Sequence, residues 1–388
     1  MFLKRCLENN AALIDFAFVL SQNGQILPDT YILDVDTILH NALQILEKAN
    51  SQGITLFYML KQIGRNPYIA KKLEDLGYDG CTVVDYKEAL TMIENGLHIG
   101  NVGHLVQIPK AALKKIIVAK PDVITVYSYE KIFQINSVAQ ELDLIQPLMI
   151  RISDDDASMY SGQYGGFSSR ELNKILGTID SLTHVSFGGI TTFPAFLYNE
   201  SSNQIEATSN MHGIEQSLSI LNERNIDNIL INLPSANCCS SIPLVKACGG
   251  NNCEPGHGLT GTTPLHKKNE EVEAVGYVYV SEVSHNYKDR AYCYGGGHYP
   301  RGHMENVLVG TSLDNAQMLK VSAPTEGSID YHFEINENCN VSDTCVMCYR
   351  TQMFTTRSHI ALVEGLSKNQ PRLVGLYDAL GKKLEKNW

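Results

Sequence analysis

From Thr30 to Lys61 the chain reads TYILDVDTILHNALQILEKANSQGITLFYMLK, and this stretch limits the possible folds more than any other. Tyr31-Ile32-Leu33 is a short apolar strand, followed by Asp34 and Asp36. Ile38, Ala42, Ile45 and Leu46 then recur at helical spacing. A second apolar run, Ile54 to Leu60, ends in Lys61. Strand, helix, strand is the opening unit of an α/β fold. In such folds the reacting groups sit beyond the carboxyl ends of the strands, where Lys61 stands. A lysine at a strand end is usually solvated, but the apolar run before this one buries at least its stem. Desolvation favours the neutral amine, which forms an imine with an aldehyde.

The strand–helix alternation continues to about residue 265. Strands are expected at Gly80–Val84, Asn101–Val106, Ile116–Ala119, Ile124–Tyr127, Leu148–Ile152, His184–Phe187 and Asn228–Leu233. Helices are expected at 66–76 (with Pro67 in the first turn), 86–96, 130–141, 169–179 and 212–222. With 388 residues the chain is long enough for two domains. The expected fold class is α/β plus β, an eight-fold (β/α)8 TIM barrel followed by a mainly β domain. The lead-in is placed at 1–28, the barrel at 29–265 with Tyr31–Leu33 as its first strand, and the β domain at 266–388. In that last part 271–282 reads as one long strand, followed by short strands separated by turn residues.

Charge and composition exclude several classes. A net charge of −11, from 31 basic and 42 acidic residues, argues against general nucleic-acid binding. No uninterrupted apolar run is long enough for a membrane span. Lys4-Arg5 precede an apolar segment, but Glu8, Asn9, Asn10 and Asp15 interrupt it, so a helix is expected there rather than a signal peptide. A cytoplasmic location is expected. The ten cysteines do not suggest a disulfide scaffold at this length. Cys345-x-x-Cys348 has metal or redox spacing but lies in an alternating run that reads as a strand. Cys248 and Cys253, flanked by glycines and asparagines, are the better candidates for thiol chemistry.

A second motif is Cys253-Glu254-Pro255-Gly256-His257-Gly258. Its glycines let backbone amides approach an anion closely, although a glycine-rich surface turn would look the same. Together, Tyr31-x-x-Asp34, a helix, a strand closing on Lys61 and the Glu-Pro-Gly motif resemble the alanine-racemase-like, fold-type III family of pyridoxal-phosphate enzymes. That family includes alanine racemase, amino-acid decarboxylases of the same fold, D-threonine aldolase and D-serine dehydratase. The resemblance implies that Lys61 carries pyridoxal 5'-phosphate and that Glu254 pairs with the ring nitrogen. The backbone at Gly256 and His257 would hold the phosphate, with Ser235 as a further ligand. Arg151, His104 and Gln107 would line the site, Arg151 orienting the cofactor or a substrate carboxylate. For Arg151 an ion pair with one of Asp154 to Asp156 is the structural alternative.

The chain also departs from each known branch. Alanine racemases place an arginine where Glu254 stands. Decarboxylases carry a histidine after a Val-Ser-Phe-like strand, whereas Val185-Ser186-Phe187 is followed here by Gly188-Gly189. The loop Tyr292-Cys293-Tyr294-Gly295-Gly296-Gly297-His298-Tyr299-Pro300 resembles that of D-threonine aldolase and D-serine dehydratase. Their metal-binding His-x-Cys is replaced by Tyr349-Arg350-Thr351-Gln352, so no metal is expected. The implied activity is amino-acid racemisation or epimerisation in a homodimer whose subunits share the site. Lys61 would serve one face of the α-carbon, and Cys293, Tyr294, His298 or Tyr299 the other. A decarboxylase or a D-amino-acid lyase is the alternative. Barrel-only relatives that bind the cofactor for homeostasis are a third class, which the long β domain argues against.

Overall fold

The computed structural model describes residues 2–385. They form two compact units. One comprises Ile45–Leu60 and Pro67–Gly256; the other holds the chain up to Gln44, Lys61–Asn66 and everything from His257 onward.

The first strand, β1 (Thr30–Asp34), corrects the sequence reading: it is not a barrel strand. All five of its residues are buried, and it pairs with strands of the β-rich unit on both edges. A short apolar run carries no label for the sheet it joins, because strand pairing is a long-range choice. The barrel begins instead with β2 (Thr55–Met59), so Lys61 follows the first barrel strand rather than the second.

The barrel continues with β3 (Gly80–Thr82), β4 (Ile99–Val102), β5 (Val123–Val126), β6 (Gln146–Arg151) and β7 (Val185–Thr191). A hairpin, β8 (Phe196–Asn199) with β9 (Gln204–Ala207), is inserted after β7. Then β10 (Leu230–Asn232) and β11 (Asn252–Cys253) close the ring against β2. All eight barrel pairings are parallel. The two-residue β11 is too short to show a period, which is why it was not foreseen. The segment expected as strand Ile116–Ala119 lies instead in helix Leu113–Val118. Leu113, Ile116 and Ile117 sit at helical spacing and are its buried face. Dropping these two strands and adding β11 gives the count of eight. Between strands, Asp85 caps helix Tyr86–Glu94 by accepting the Glu88 amide at 2.9 Å, and Ser128 caps Tyr129–Glu141.

The other unit carries β12 (Tyr277–Tyr287), β13 (Arg290–Tyr294), β14 (Asn306–Gly310), β15 (Gln317–Ser322), β16 (His332–Ile335), β17 (Thr344–Met347), β18 (His359–Glu364) and β19 (Arg372–Asp378). With β1 they form one sheet in the order β13-β16-β15-β14-β17-β12-β1-β18-β19, and β13 pairs back onto β12. The long strand starts at Tyr277, not at 271, because residues 271–276 run irregularly into it. Two lead-in helices, Phe2–Asn9 and Ala11–Gln22, bury apolar faces, and Gln22 bonds the Thr344 hydroxyl at 2.8 Å. Cys345 lies within β17 and is buried, as is Cys348, in accord with the strand reading. Among the described residues no helix is long and apolar enough to cross a membrane.

Candidate functional site

The carboxyl ends of the barrel strands gather polar side chains that have no solvent. Glu254 directly follows β11 and is 5% exposed. Its backbone N–H donates to Asn237 Oδ1 at 3.1 Å. Its Oε1 accepts Nδ2 of Asn232 from β10 at 2.5 Å and Nδ2 of Asn101 from β4 at 3.3 Å. Asn101 is in turn held by the Thr125 hydroxyl of β5, which donates to Oδ1 at 2.7 Å. His104 Nε2 lies 3.8 Å from Glu254 Oε2, and both side chains are buried. A buried carboxylate persists only where donors stabilise it, and two amides do so here.

His104 is set in place by the backbone before it. Gly103 has φ +91°, and a Cβ there would lie 2.5 Å from the Thr125 carbonyl oxygen, so the turn excludes other residues. Gln107 Nε2 donates to the carbonyls of Gly103 and Thr125 at 2.8 Å each, which makes Gln107 a brace for this turn. The Tyr127 hydroxyl donates to the His104 carbonyl. The His104 ring meets Phe193 edge-on at 5.4 Å.

Arg151, at the end of β6, is fully buried. Its guanidinium stacks over the Tyr127 ring at 4.8 Å and donates to the Tyr127 hydroxyl at 2.5 Å and the Gln163 carbonyl at 2.9 Å. The structural alternative of an ion pair with the following aspartates is not found among the described contacts. Asp154 accepts instead from the Ser168 hydroxyl and the Ser169 amide, at 2.7 and 2.9 Å. Ser235 and Ala236, beyond β10, are half-buried and have φ values of 93° and 52°. Turns of this kind collect backbone N–H groups into an anion cradle. Gly256 lies two residues beyond Glu254 and is buried.

The remaining candidates belong to the β-rich unit. Lys61 opens a short 3-10 turn, Lys61–Ile63, two residues past β2, and is partly exposed. His257 is 8% exposed; its Nδ1 is 3.2 Å from the Thr262 hydroxyl, and its Nε2 has no hydrogen-bond partner among the described residues. Burial pushes this imidazole well below its ordinary range, and the charges of Arg350, Lys61, His266 and Arg301 push it further. His257 is therefore neutral near pH 7 and can donate from one nitrogen while accepting at the other.

The glycine loop after β13 is tightly anchored. Gly297 O accepts the Tyr31 and Tyr349 hydroxyls at 2.6 and 3.1 Å. Asp330 Oδ2 accepts the amides of Gly296 and His298, each at 3.2 Å, while Arg357 holds its other oxygen at 2.7 Å. Of the four opposite-face candidates, Cys293 is fully buried within β13, paired with Phe333. The Tyr299 hydroxyl is engaged by Arg301 at 3.0 and 2.7 Å. Tyr294 is 39% exposed, and His298 is half-buried, its Nδ1 without a partner among the described residues. Burial lowers the His298 pKa, with Asp330 opposing.

This anchoring makes Gly296 hard to replace. Its φ is +132°, and a Cβ would fall 1.9 Å from Asp29 Oδ2. Asp29 cannot yield readily, because the Tyr279 and Ser358 hydroxyls hold its other oxygen. Gly296→Ala is expected to cost about 2–4 kcal/mol in urea unfolding. Gly162→Ala, also at positive φ (+77°) but with nothing within 4 Å, should cost only about 1 kcal/mol. Equal losses at the two positions would contradict the packing argument.

Sequence reasoning did not find Asn101, Thr125, Asn232, Tyr127 or Asp330. A signal existed for the two amides: each is a lone asparagine inside a short, mostly apolar barrel strand, IGNV and LIN.

The comparisons with known proteins follow the same lines. Residues 33–264 match the family described as alanine racemase, N-terminal domain, and residues 278–373 match YhfX-like, C-terminal domain. The chain is 39% identical over 386 residues to the uncharacterized protein YhfX of Escherichia coli (strain K12), covering 99% of this chain and 100% of that one. Among solved structures it resembles D-threonine aldolase from Filomicrobium marinum (TM-score 0.70, 12% identity, 91% of this chain and 95% of that one). It also resembles diaminopimelate decarboxylase from M. jannaschi (0.68, 13%, 94% and 93%) and alanine racemase of Clostridium difficile 630 (0.63, 15%, 91% and 99%). At these identities the structural likeness establishes the fold. The family match over most of the barrel and the full-length relative establish the rest: the chain belongs to the alanine racemase N-terminal domain family, in the fold-type III pyridoxal-phosphate superfamily, alongside YhfX.

Proposed function

We propose that the protein is a pyridoxal-phosphate-dependent amino-acid racemase or epimerase, working as a cytoplasmic homodimer. The observation that carries the cofactor assignment is the buried Glu254 carboxylate, held by Asn101 and Asn232 at the carboxyl ends of the barrel strands. The residues present suit the group. Glu254 supplies an acceptor for a protonated ring nitrogen, the left-handed turn at Ser235–Ala236 supplies amides for a phosphate, and Lys61 supplies a primary amine for an aldehyde. When bound, pyridoxal phosphate captures amines and withdraws electrons from their α-carbon.

In this reading Lys61 Nζ would hold the cofactor and would also serve as the base for the α-proton on one face. Glu254 keeps a proton on the ring nitrogen by its negative charge. The buried His104 ring, met edge-on by Phe193, stands beside Glu254. Proton return on the opposite face needs a second acid, supplied by the partner protomer. Within the glycine loop Tyr294 and His298 retain exposed surface, whereas the Cys293 thiol is buried, so the role falls to one of those two.

A second reading, decarboxylation, has one specific observation in its favour. Glu254 stands where the resemblance to alanine racemases would place an arginine, and a strongly electron-withdrawing ring serves loss of carboxylate equally well. Incubation of the purified protein in deuterium oxide with a pool of L-amino acids, and separately with a pool of D-amino acids, separates these readings. Racemisation gives deuterium exchange at the α-carbon and loss of optical purity, decarboxylation gives carbon dioxide, and a D-amino-acid lyase gives a carbonyl product. A protein that retains cofactor and does none of these is a cofactor-binding protein, and the proposal fails.

A further inference from the structure

Glu254 is reached by side-chain amides from two different barrel strands, and both end on the same oxygen. The Thr125 hydroxyl donates to Asn101 Oδ1, and the Asn101 NH2 faces the carboxylate. Asn232 is equally committed. Its NH2 bonds Glu254 at 2.5 Å, while its own Oδ1 is buried with no hydrogen-bond partner among the described residues. An asparagine whose carbonyl is sacrificed in this way is favourable only opposite an anion. A protonated Glu254 would do better with the carbonyl turned towards it. Ionisable groups facing this carboxylate within the barrel include His104, 3.8 Å from Oε2, and the adjoining Cys253 thiol. Burial raises that thiol, and the Glu254 charge adds to it.

We propose that Asn101 and Asn232, with Thr125 behind Asn101, are positioning residues that hold Glu254 ionised and fix its plane. In the protein with its cofactor they decide how strongly the ring nitrogen is held protonated, without touching the substrate. This last step rests on the proposed function, but the clamp itself does not.

The test uses the full-length apoprotein. Infrared difference spectra over a pH series record the Glu254 carboxyl, identified by the band that Glu254→Gln removes. Asn232→Leu should move its titration upward by about 1–3 units, and Asn101→Leu by less, in keeping with the longer bond. Asn232→Gln should recover part of the shift. Titration unchanged in both leucine variants would overturn the proposal. If the leucine variants do not fold, Thr125→Val decides: an upward shift supports the clamp and an unchanged titration refutes it. In protein loaded with pyridoxal phosphate, the visible absorbance of each variant should change its pH dependence in the same order. Failure of borohydride to fix the cofactor to Lys61 would end the functional reading while leaving the apoprotein result standing.

Discussion

Lys61→Arg should abolish the visible absorbance of the bound cofactor and lower turnover by about 10³-fold or more. Arginine keeps the positive charge and nearly the length of lysine, but its guanidinium stays protonated and is not a nucleophile at working pH. The variant therefore separates electrostatic attraction from covalent attachment. Wild-type protein should show a band near ~420 nm that borohydride removes, with one cofactor mass added to the peptide containing Lys61. The variant should show neither. It should still fold, because Lys61 lies in a short 3-10 turn and is partly exposed rather than packed in the core. A variant that kept the reducible band would place the amine elsewhere.

Glu254→Gln carries the second-largest effect. The substitution keeps the shape but removes the charge and replaces one acceptor oxygen with a donor NH2. An electrostatic stabiliser facing the reacting system is worth about 10²–10³ in turnover. The loss should fall on kcat rather than KM, because the substrate is held by other groups. The amide also meets the two donors of Asn101 and Asn232, so one of its orientations sets NH2 against NH2. The expected consequence is weakened cofactor retention, read by dialysis, together with slower turnover. Unaltered kcat with wild-type retention would show that the carboxylate does not face the ring.

Local patterns along the chain carry the fold class and the family. Alternation of apolar strands with helices of period 3.6 announced a barrel, and short strands between turn residues announced a β domain. Two short motifs, a strand closing on Lys61 and the Glu254-Pro255-Gly256 turn, pointed to the family because each needs specific residue types at fixed spacing. Period and spacing are properties of neighbours along the chain, so they can be read without coordinates.

What failed was non-local. Residues 30–34 have the composition of a barrel strand, yet they are the strand between β12 and β18, because β-pairing partners lie hundreds of residues away and no local term selects them. Residues 113–118, by contrast, carry a local signal for their helix, the spacing of Leu113, Ile116 and Ile117, which a short apolar run masks. The clamp on Glu254 was invisible for the same reason: Asn101, Thr125 and Asn232 look like polar interruptions of apolar strands until the barrel closes and aims them at one carboxylate. The sequence alone thus determined the fold class and the family, and it named the two residues, Lys61 and Glu254, on which the proposed cofactor site rests. Only the tertiary structure decided which strands share a sheet and which polar groups meet in the absence of water, since both depend on contacts between segments far apart in the chain.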